Sequence, residues 1–283
     1  MKHKSDFIQS LLSSYQEHGL SKSIDYSQFP SMSEVENCLD SIKDLLFPGI
    51  YRPLSNKDSA EEFYVPLIAN IKKQLELIIK KYYLNKDPNL NEAEVLSSTN
   101  RLIDSFFDNF VSIRELLITD AKAIYNGDPA AKSVEEVLIS YVTFQAILTY
   151  RIAHFFYNNG LFLFARMMAE TAHFNTSIDI HPGAKIAASF CIDHGTGVVI
   201  GETAVIGENV KLYQGVTLGA FSVDKSDQDK KRHPTIEDNV TIYAMSTILG
   251  GTTVVGSNSI IGANVWLTKS VPAGSKIKLS TIS

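Results

Sequence analysis

The stretch Val198–Gly219, VVIGETAVIGENVKLYQGVTLG, decides the fold. Ile200-Gly201, Ile206-Gly207 and Leu218-Gly219 fall on a spacing of six, and Leu212-Tyr213 fills the missing slot. A second apolar file runs beside it: Ile180, Ile186, Ile192, Val198, Ala204, Val210 and Val216. A repeat of this length marks a solenoid built from short strands and turns, three to a coil. The aliphatic side chain points into a narrow bore, and the small residue after it lets the chain turn.

Outward from this stretch, the repeat occupies residues 176–274. Its one large interruption is Ala220–Pro234, an extruded loop. Ile236 resumes the pattern eighteen residues after Leu218, followed by Ile242 and Ile248, so the loop is expected to replace one coil without shifting phase. Ile248 to Val255 is seven residues, which predicts a bulge near Gly250–Val254. Ile261-Gly262 and Leu267-Thr268 complete about four coils, and residues 275–283 form a short tail.

Residues 1–175 read as an all-α domain, making the chain α+β and multi-domain. Phe7, Leu11, Leu12 and Tyr15 sit at helical spacing, and residues 21–33, rich in Ser, predict a loop. Ser33 and Glu36 suggest a capping box. Leu67, Ile71, Leu75 and Ile78 share one helical face, and Leu102, Phe106 and Phe110 another. Gly127 suits a helix end, which would make Asp128 the N-cap of a helix starting at Pro129. Further helices are expected over 134–157 and 162–173.

The net charge of −5 lacks the basic face that nonspecific nucleic-acid binding needs. No apolar run reaches the ~18 residues of a membrane span. Only two cysteines occur, Cys38 and Cys191, which fits a reduced, cytoplasmic setting.

Polar residues interrupt the solenoid in four clusters: Asp179-Ile180-His181-Pro182, Asp193-His194-Gly195-Thr196-Gly197, Gly201-Glu202-Thr203 and Arg232-His233-Pro234. Asp179 and His194 are fifteen residues apart, which predicts neighbouring coils. A carboxylate there can hold a histidine in one tautomer, as a general-base dyad requires. The in-phase loop is expected to bring Arg232 and His233 to the same edge. Taken alone, these clusters also fit the polar exterior of any prism.

Further motifs narrow the reading. Asp128-Pro129-Ala130, Tyr150-Arg151-Ile152-Ala153-His154, Asp179–Ile186, Asp193–Ala204, Tyr213–Gly219 and Arg232-His233-Pro234 together closely resemble bacterial and plant serine O-acetyltransferases, over about residues 120–273. The resemblance implies a left-handed β-helix, packed as trimers that the helical domains join in pairs. It implies transfer of acetyl from acetyl-CoA to the hydroxyl of L-serine, the first step of cysteine biosynthesis. His194 matches the base, Asp179 the carboxylate that orients it, and His233 a second active-site histidine. Arg232 would pair with the serine carboxylate, Asp128 and Asp193 with its ammonium, and Glu202 would order the site. Coenzyme A would lie between adjacent prisms, where Gly219, Ala220, Ala244 and Ala263 allow close approach. Lys225, Lys230, Lys231 and Lys269 are the cations available for its phosphates.

No permanently bound cofactor is implied. A zinc site of the kind found in hexapeptide carbonic anhydrases would need three histidines; His173, His181, His194 and His233 lack the H-x-x-x-x-H spacing, so no metal is expected. The chain departs from the family pattern at Gly219-Ala220-Phe221, at Tyr243, and in its tail, which lacks the terminal isoleucine that docks O-acetylserine sulfhydrylase. Two other readings stay open: a solenoid acyltransferase for another hydroxyl or amine, and a non-catalytic scaffold derived from one.

Overall fold

The period of six becomes three parallel sheets wound around one bore. A computed structural model describes residues 2–18, 29–53, 59–87, 89–221 and 230–279. Its first sheet stacks β1 (Asp179–Ile180), β4 (Val199–Ile200), β7 (Thr217–Gly219), β10 (Thr247–Leu249) and β13 (Trp266–Leu267). The second stacks β2 (Lys185–Ile186), β5 (Val205–Ile206), β8 (Thr235–Ile236) and β11 (Val254–Val255). The third stacks β3 (Cys191–Asp193), β6 (Lys211–Tyr213), β9 (Thr241–Ile242), β12 (Ile260–Ile261) and β14 (Lys276–Ile277). Ile180, Ile200, Leu218 and Ile248 form one buried column, and Val198 and Val216, two residues earlier, are buried with them. Both apolar files therefore point inward, and the residue between them faces out, as strand alternation requires.

The register corrects the expected coil arithmetic. Asp179 pairs with Val199 and Val199 with Thr217, so the first coil is two residues longer than the second. Asp179 and His194 thus belong to the same coil, not to neighbouring ones. Across the extruded loop the partners are Val205 with Thr235 and Thr217 with Thr247. The loop adds twelve residues at one corner, and Ile236 stacks on Ile206 instead of Leu218. Twelve is a multiple of six, so the inward file keeps its phase while the face changes. The expected extra residue appears between Leu249 and Val254, where Gly250 has φ +100°. There are about five coils instead of four, and β14 carries the solenoid into the expected tail.

Seven helices precede the solenoid among the described residues: α1 (Lys2–Glu17), α2 (Met32–Leu46), α3 (Ala60–Lys86), α4 (Glu92–Gly127), α5 (Val134–Ser140), α6 (Val142–Asn158) and α7 (Phe162–Thr176). The α2 capping box is Ser31 with Glu34, two residues before the expected pair. Asp128 follows α4, and Ser133 is the N-cap of α5. The helix expected over 134–157 breaks at Tyr141 into α5 and α6. The apolar stripes of α3 and α4 are buried, whereas Phe7, Leu11, Leu12 and Tyr15 of α1 remain exposed. Most of the expected 21–33 loop, Lys225 and residues 280–283 lie outside the described residues.

The Tyr150–His154 motif joins the two parts. The first coil has no strand beneath it, so its backbone groups need partners from elsewhere. Arg151 donates to the Ile186 and Ala187 carbonyls and pairs with buried Asp120, whose Oδ1 accepts from the Phe190 N–H at 2.9 Å. The Tyr150 hydroxyl donates to Ala184 O at 2.7 Å and accepts from the Ile186 N–H at 3.2 Å. His154 Nδ1 lies 2.7 Å from Pro182 O.

Candidate active site

Two polar clusters occupy opposite edges of the first sheet. At the corner leading from β3 to β4, Gly195 N–H donates to Asp193 O at 2.7 Å, closing a three-residue turn around His194 at φ +59°. Such turns are rare and strained, and strain of this kind is held at functional sites at a cost of about 1–3 kcal/mol. Gly195 is required here: a Cβ would lie 2.5 Å from Ile178 Cδ1. The turn leaves the His194 ring largely exposed, with Nε2 3.8 Å from Asp193 Oδ1.

Asp128 reaches this corner from the end of α4. Its carboxylate accepts from the Ala130 N–H at 2.8 Å and from the Tyr141 hydroxyl at 2.7 Å. The Tyr141 hydrogen bond, then that from Ala130, holds the Asp128 carboxyl below its ordinary range. The same bond pushes the Tyr141 hydroxyl up to about 12. Asp128, Tyr141, Thr143, Cys191, Asp193 and His194 line a cavity of about 300 Å³. Asp179 stands on β1, beside this corner, where Gly197 N–H donates to Ser177 O at 2.8 Å. Its carboxylate faces Arg166, with Nη1 at 4.0 Å, and makes no hydrogen bond to His194.

Glu202, Arg232 and His233 gather at the other edge, on the corner leading to the second sheet. The extruded loop thus does not deliver Arg232 and His233 to the edge that carries Asp179 and His194. The physical reason is the twelve-residue insertion, which falls after β7, one corner further along the coil. Glu202 accepts from the Tyr157 hydroxyl and from Arg232. Burial works to raise the Glu202 carboxyl, but these two bonds hold it below its ordinary range. His233 is buried over Gly201, where a Cβ would come within 2.0 Å of its ring. Its Nδ1 accepts from the Thr203 N–H at 3.0 Å. A backbone N–H can only donate, so the neutral ring carries its proton on Nε2. Burial, with help from Arg232, pushes His233 down to about 4.

Lys231 donates to the carbonyls of Thr203 at 3.0 Å and His233 at 2.7 Å, which holds its ammonium at the loop exit. Ala244 and Ala263 stack in successive coils on the corner that His194 opens, with Asn264 N–H donating to Ala244 O at 2.9 Å. Gly219 and Ala220 leave β7 at the other edge of the first sheet, as Lys269 does two coils later. The expected coenzyme residues therefore divide between two edges. Among the described residues no group of His, Cys, Asp and Glu is arranged to hold a metal ion, and no helix is long and apolar enough to cross a membrane.

The chain is 41% identical over 267 residues, 89% of its own length and 82% of the relative's, to a plasmid-encoded serine acetyltransferase of Synechococcus elongatus. The chain belongs to the serine acetyltransferase family. Its structure is similar to serine acetyltransferase isoform 3 of Entamoeba histolytica in complex with cysteine, with a TM-score of 0.75 and 34% identity, covering 97% of this chain and 92% of that one. A serine acetyltransferase in complex with CoA is also similar, with a TM-score of 0.56 and 27% identity, covering 87% of this chain and 96% of that one. No family model matches the chain.

Within this serine acetyltransferase, three side chains at the two clusters escape sequence reasoning: Tyr141, Tyr157 and Lys211. Each is an ordinary polar residue without a motif of its own. Lys211 occupies a solenoid position where polar residues are commonplace.

Proposed function

We propose that the protein transfers acetyl from acetyl-CoA to the hydroxyl of L-serine by direct attack, with His194 as general base. The observation that carries this reading is His194 beside two carboxylates, Asp128 and Asp193, in one cavity. A serine hydroxyl is a weak nucleophile at neutral pH. As it attacks the thioester carbonyl, the imidazole takes its proton. The tetrahedral intermediate then collapses, the C–S bond breaks, and the imidazolium returns the proton to the departing thiolate. O-acetylserine and CoA are released. Asp179, at the start of β1 beside the His194 corner, orients the imidazolium once the exposed ring rotates toward it.

The acceptor is a zwitterion and needs both signs. Asp128 and Asp193 receive its ammonium. Arg232 receives its carboxylate, held in place by Glu202, and the His233 Nε2–H donates to substrate oxygen. In one chain these halves lie at opposite edges of a sheet, which supports a site completed by a second copy. A closed threefold ring sets one copy's His194 corner against its neighbour's Arg232 corner. Acetyl-CoA fits along the corner above His194, past Ala244 and Ala263, toward a cavity of about 580 Å³ lined by Tyr243, Ala263, Lys276 and Lys278. Two of those side chains are cations suited to phosphate.

The test is serine-dependent thiol release from acetyl-CoA. His194→Ala is expected to lower kcat by about 10²–10⁴ without altering the circular dichroism spectrum. No thiol release by the unmodified protein would defeat the reading, and full activity in His194→Ala would defeat the assigned base.

A further inference from the structure

One charged side chain behind the His194 cavity, bound to Asp193, has no part in the chemistry above. Lys211 lies on β6, paired with Cys191 of the coil beneath, and projects outward between buried Val210 and Leu212. Its Nζ is 2.8 Å from Asp193 Oδ2 and donates to Gly127 O at 2.6 Å. It also sits 4.5 Å from the centroid of the Tyr213 ring. Only 17% of the Lys211 side chain and 16% of the Asp193 side chain are exposed.

Gly127 is the last residue of a 36-residue helix. Its carbonyl belongs to the final turn, where carbonyls lack partners within the helix and carry the negative end of its dipole. Asp128 follows immediately. One ammonium therefore ties the backbone next to one carboxylate to the second carboxylate, and the two come from different domains. Gly127 packs closely on the solenoid here: a Cβ would stand 3.2 Å from Cys191 Sγ, with Lys211 Nζ in contact at 3.5 Å. Burial works against the charge on Lys211, but Asp193 and Tyr213 outweigh it and hold the ammonium above the ordinary lysine range. Asp128 and Asp193 bring two negative charges to the cavity. Lys211 offsets one of them, leaving one to match a single substrate ammonium; Ser140, Tyr141, Thr143 and Cys191, which also line the cavity, are uncharged side chains.

We propose that Lys211 is a positioning residue that acts through Asp193 and the end of α4 to set the spacing of the two carboxylates that receive the acceptor's ammonium. The proposal rests on the reading of Asp128 and Asp193 as ammonium ligands. The experiment is steady-state kinetics of the full chain for Lys211→Met, Lys211→Arg, Asp193→Asn and the Lys211→Met/Asp193→Asn double variant, with thermal unfolding of each.

Lys211→Met is expected to raise KM for L-serine about tenfold or more, with kcat and KM for acetyl-CoA within about threefold. Lys211→Arg, whose guanidinium reaches both acceptors, recovers most of the loss. The double variant loses less than the two single losses combined, because the part of the effect that runs through Asp193 is already gone in Asp193→Asn. An unchanged serine KM in Lys211→Met overturns the proposal, as does an equal fall in all parameters, or additive losses in the double variant. If Lys211→Met does not fold, a serine KM in Lys211→Arg further from wild type than about tenfold overturns it, and one nearer supports it. Asp193→Asn alone tests the underlying reading: an unchanged serine KM there removes the ammonium assignment, whatever Lys211 does.

Discussion

His233 shows how one residue's surroundings fix its chemistry. It sits on a glycine, accepts from Thr203 and is buried, so it stays neutral with Nε2–H available. The cost appears as pH dependence of stability. The folded state resists protonation down to about 4, whereas an unfolded histidine takes a proton near 6.5. Below 6.5 the unfolded chain binds more protons, so stability present at neutral pH is lost as pH falls from about 6.5 toward 4. The loss attributable to this ring is on the order of 3 kcal/mol. Urea unfolding at pH 7, 5.5 and 4.5 checks it: His233→Asn should show a shallower decline than the unmodified chain. An identical decline in both would remove His233 as the source. The triplet Arg232-His233-Pro234 was legible in the sequence. The tautomer was not, because it depends on Thr203, thirty residues away in sequence but one coil beneath in space.

Among elements, the first coil carries the most cross-domain bonding. Arg151 and Asp120 are almost completely buried, and each also bonds backbone of that coil. Removing one partner strands a buried charge, at about 3–5 kcal/mol. Arg151→Met is expected to lower stability to urea by that amount and to speed hydrogen exchange at Ile186 and Phe190 before it does so in later coils. Uniform exchange along the solenoid would show that the pair only stabilises the helices. The six-residue period made these elements readable, down to the extra residue after Leu249. What the period hid was which face a strand occupies. An insertion of twelve residues leaves every inward residue inward, so Ile236 looked like the successor of Leu218 while lying over Ile206. The apolar stripe of α1 was legible too, but not that it stays exposed in the single chain. Periodicity records an apolar face without recording what covers it.

For the whole molecule, the function proposed above makes activity a property of an assembly, because the two polar clusters are separated within one chain. In that proposal each site takes His194 from one copy and His233 from the next. His194→Ala and His233→Ala proteins should each be nearly inactive. Mixed trimers formed by co-expressing the two should regain about a quarter of wild-type activity, the share of interfaces at which both intact residues meet. Mixed trimers without activity would place the full site within one chain. Asp128, on the end of α4, ties the helical region to this site and explains in chemical terms why the two parts share one chain.

The docking of α4 and α6 beneath the first coil also gives the molecule a direction. Residues leave the ribosome N-terminus first, and domains tend to fold in that order. The helical region is complete before Asp179 emerges. The first coil can then lay its backbone on Tyr150, Arg151 and Asp120, and each later coil finds its predecessor in place. Order of synthesis is thereby order of assembly, and a circular permutant that begins at the solenoid would have to form its first coil with nothing to build upon.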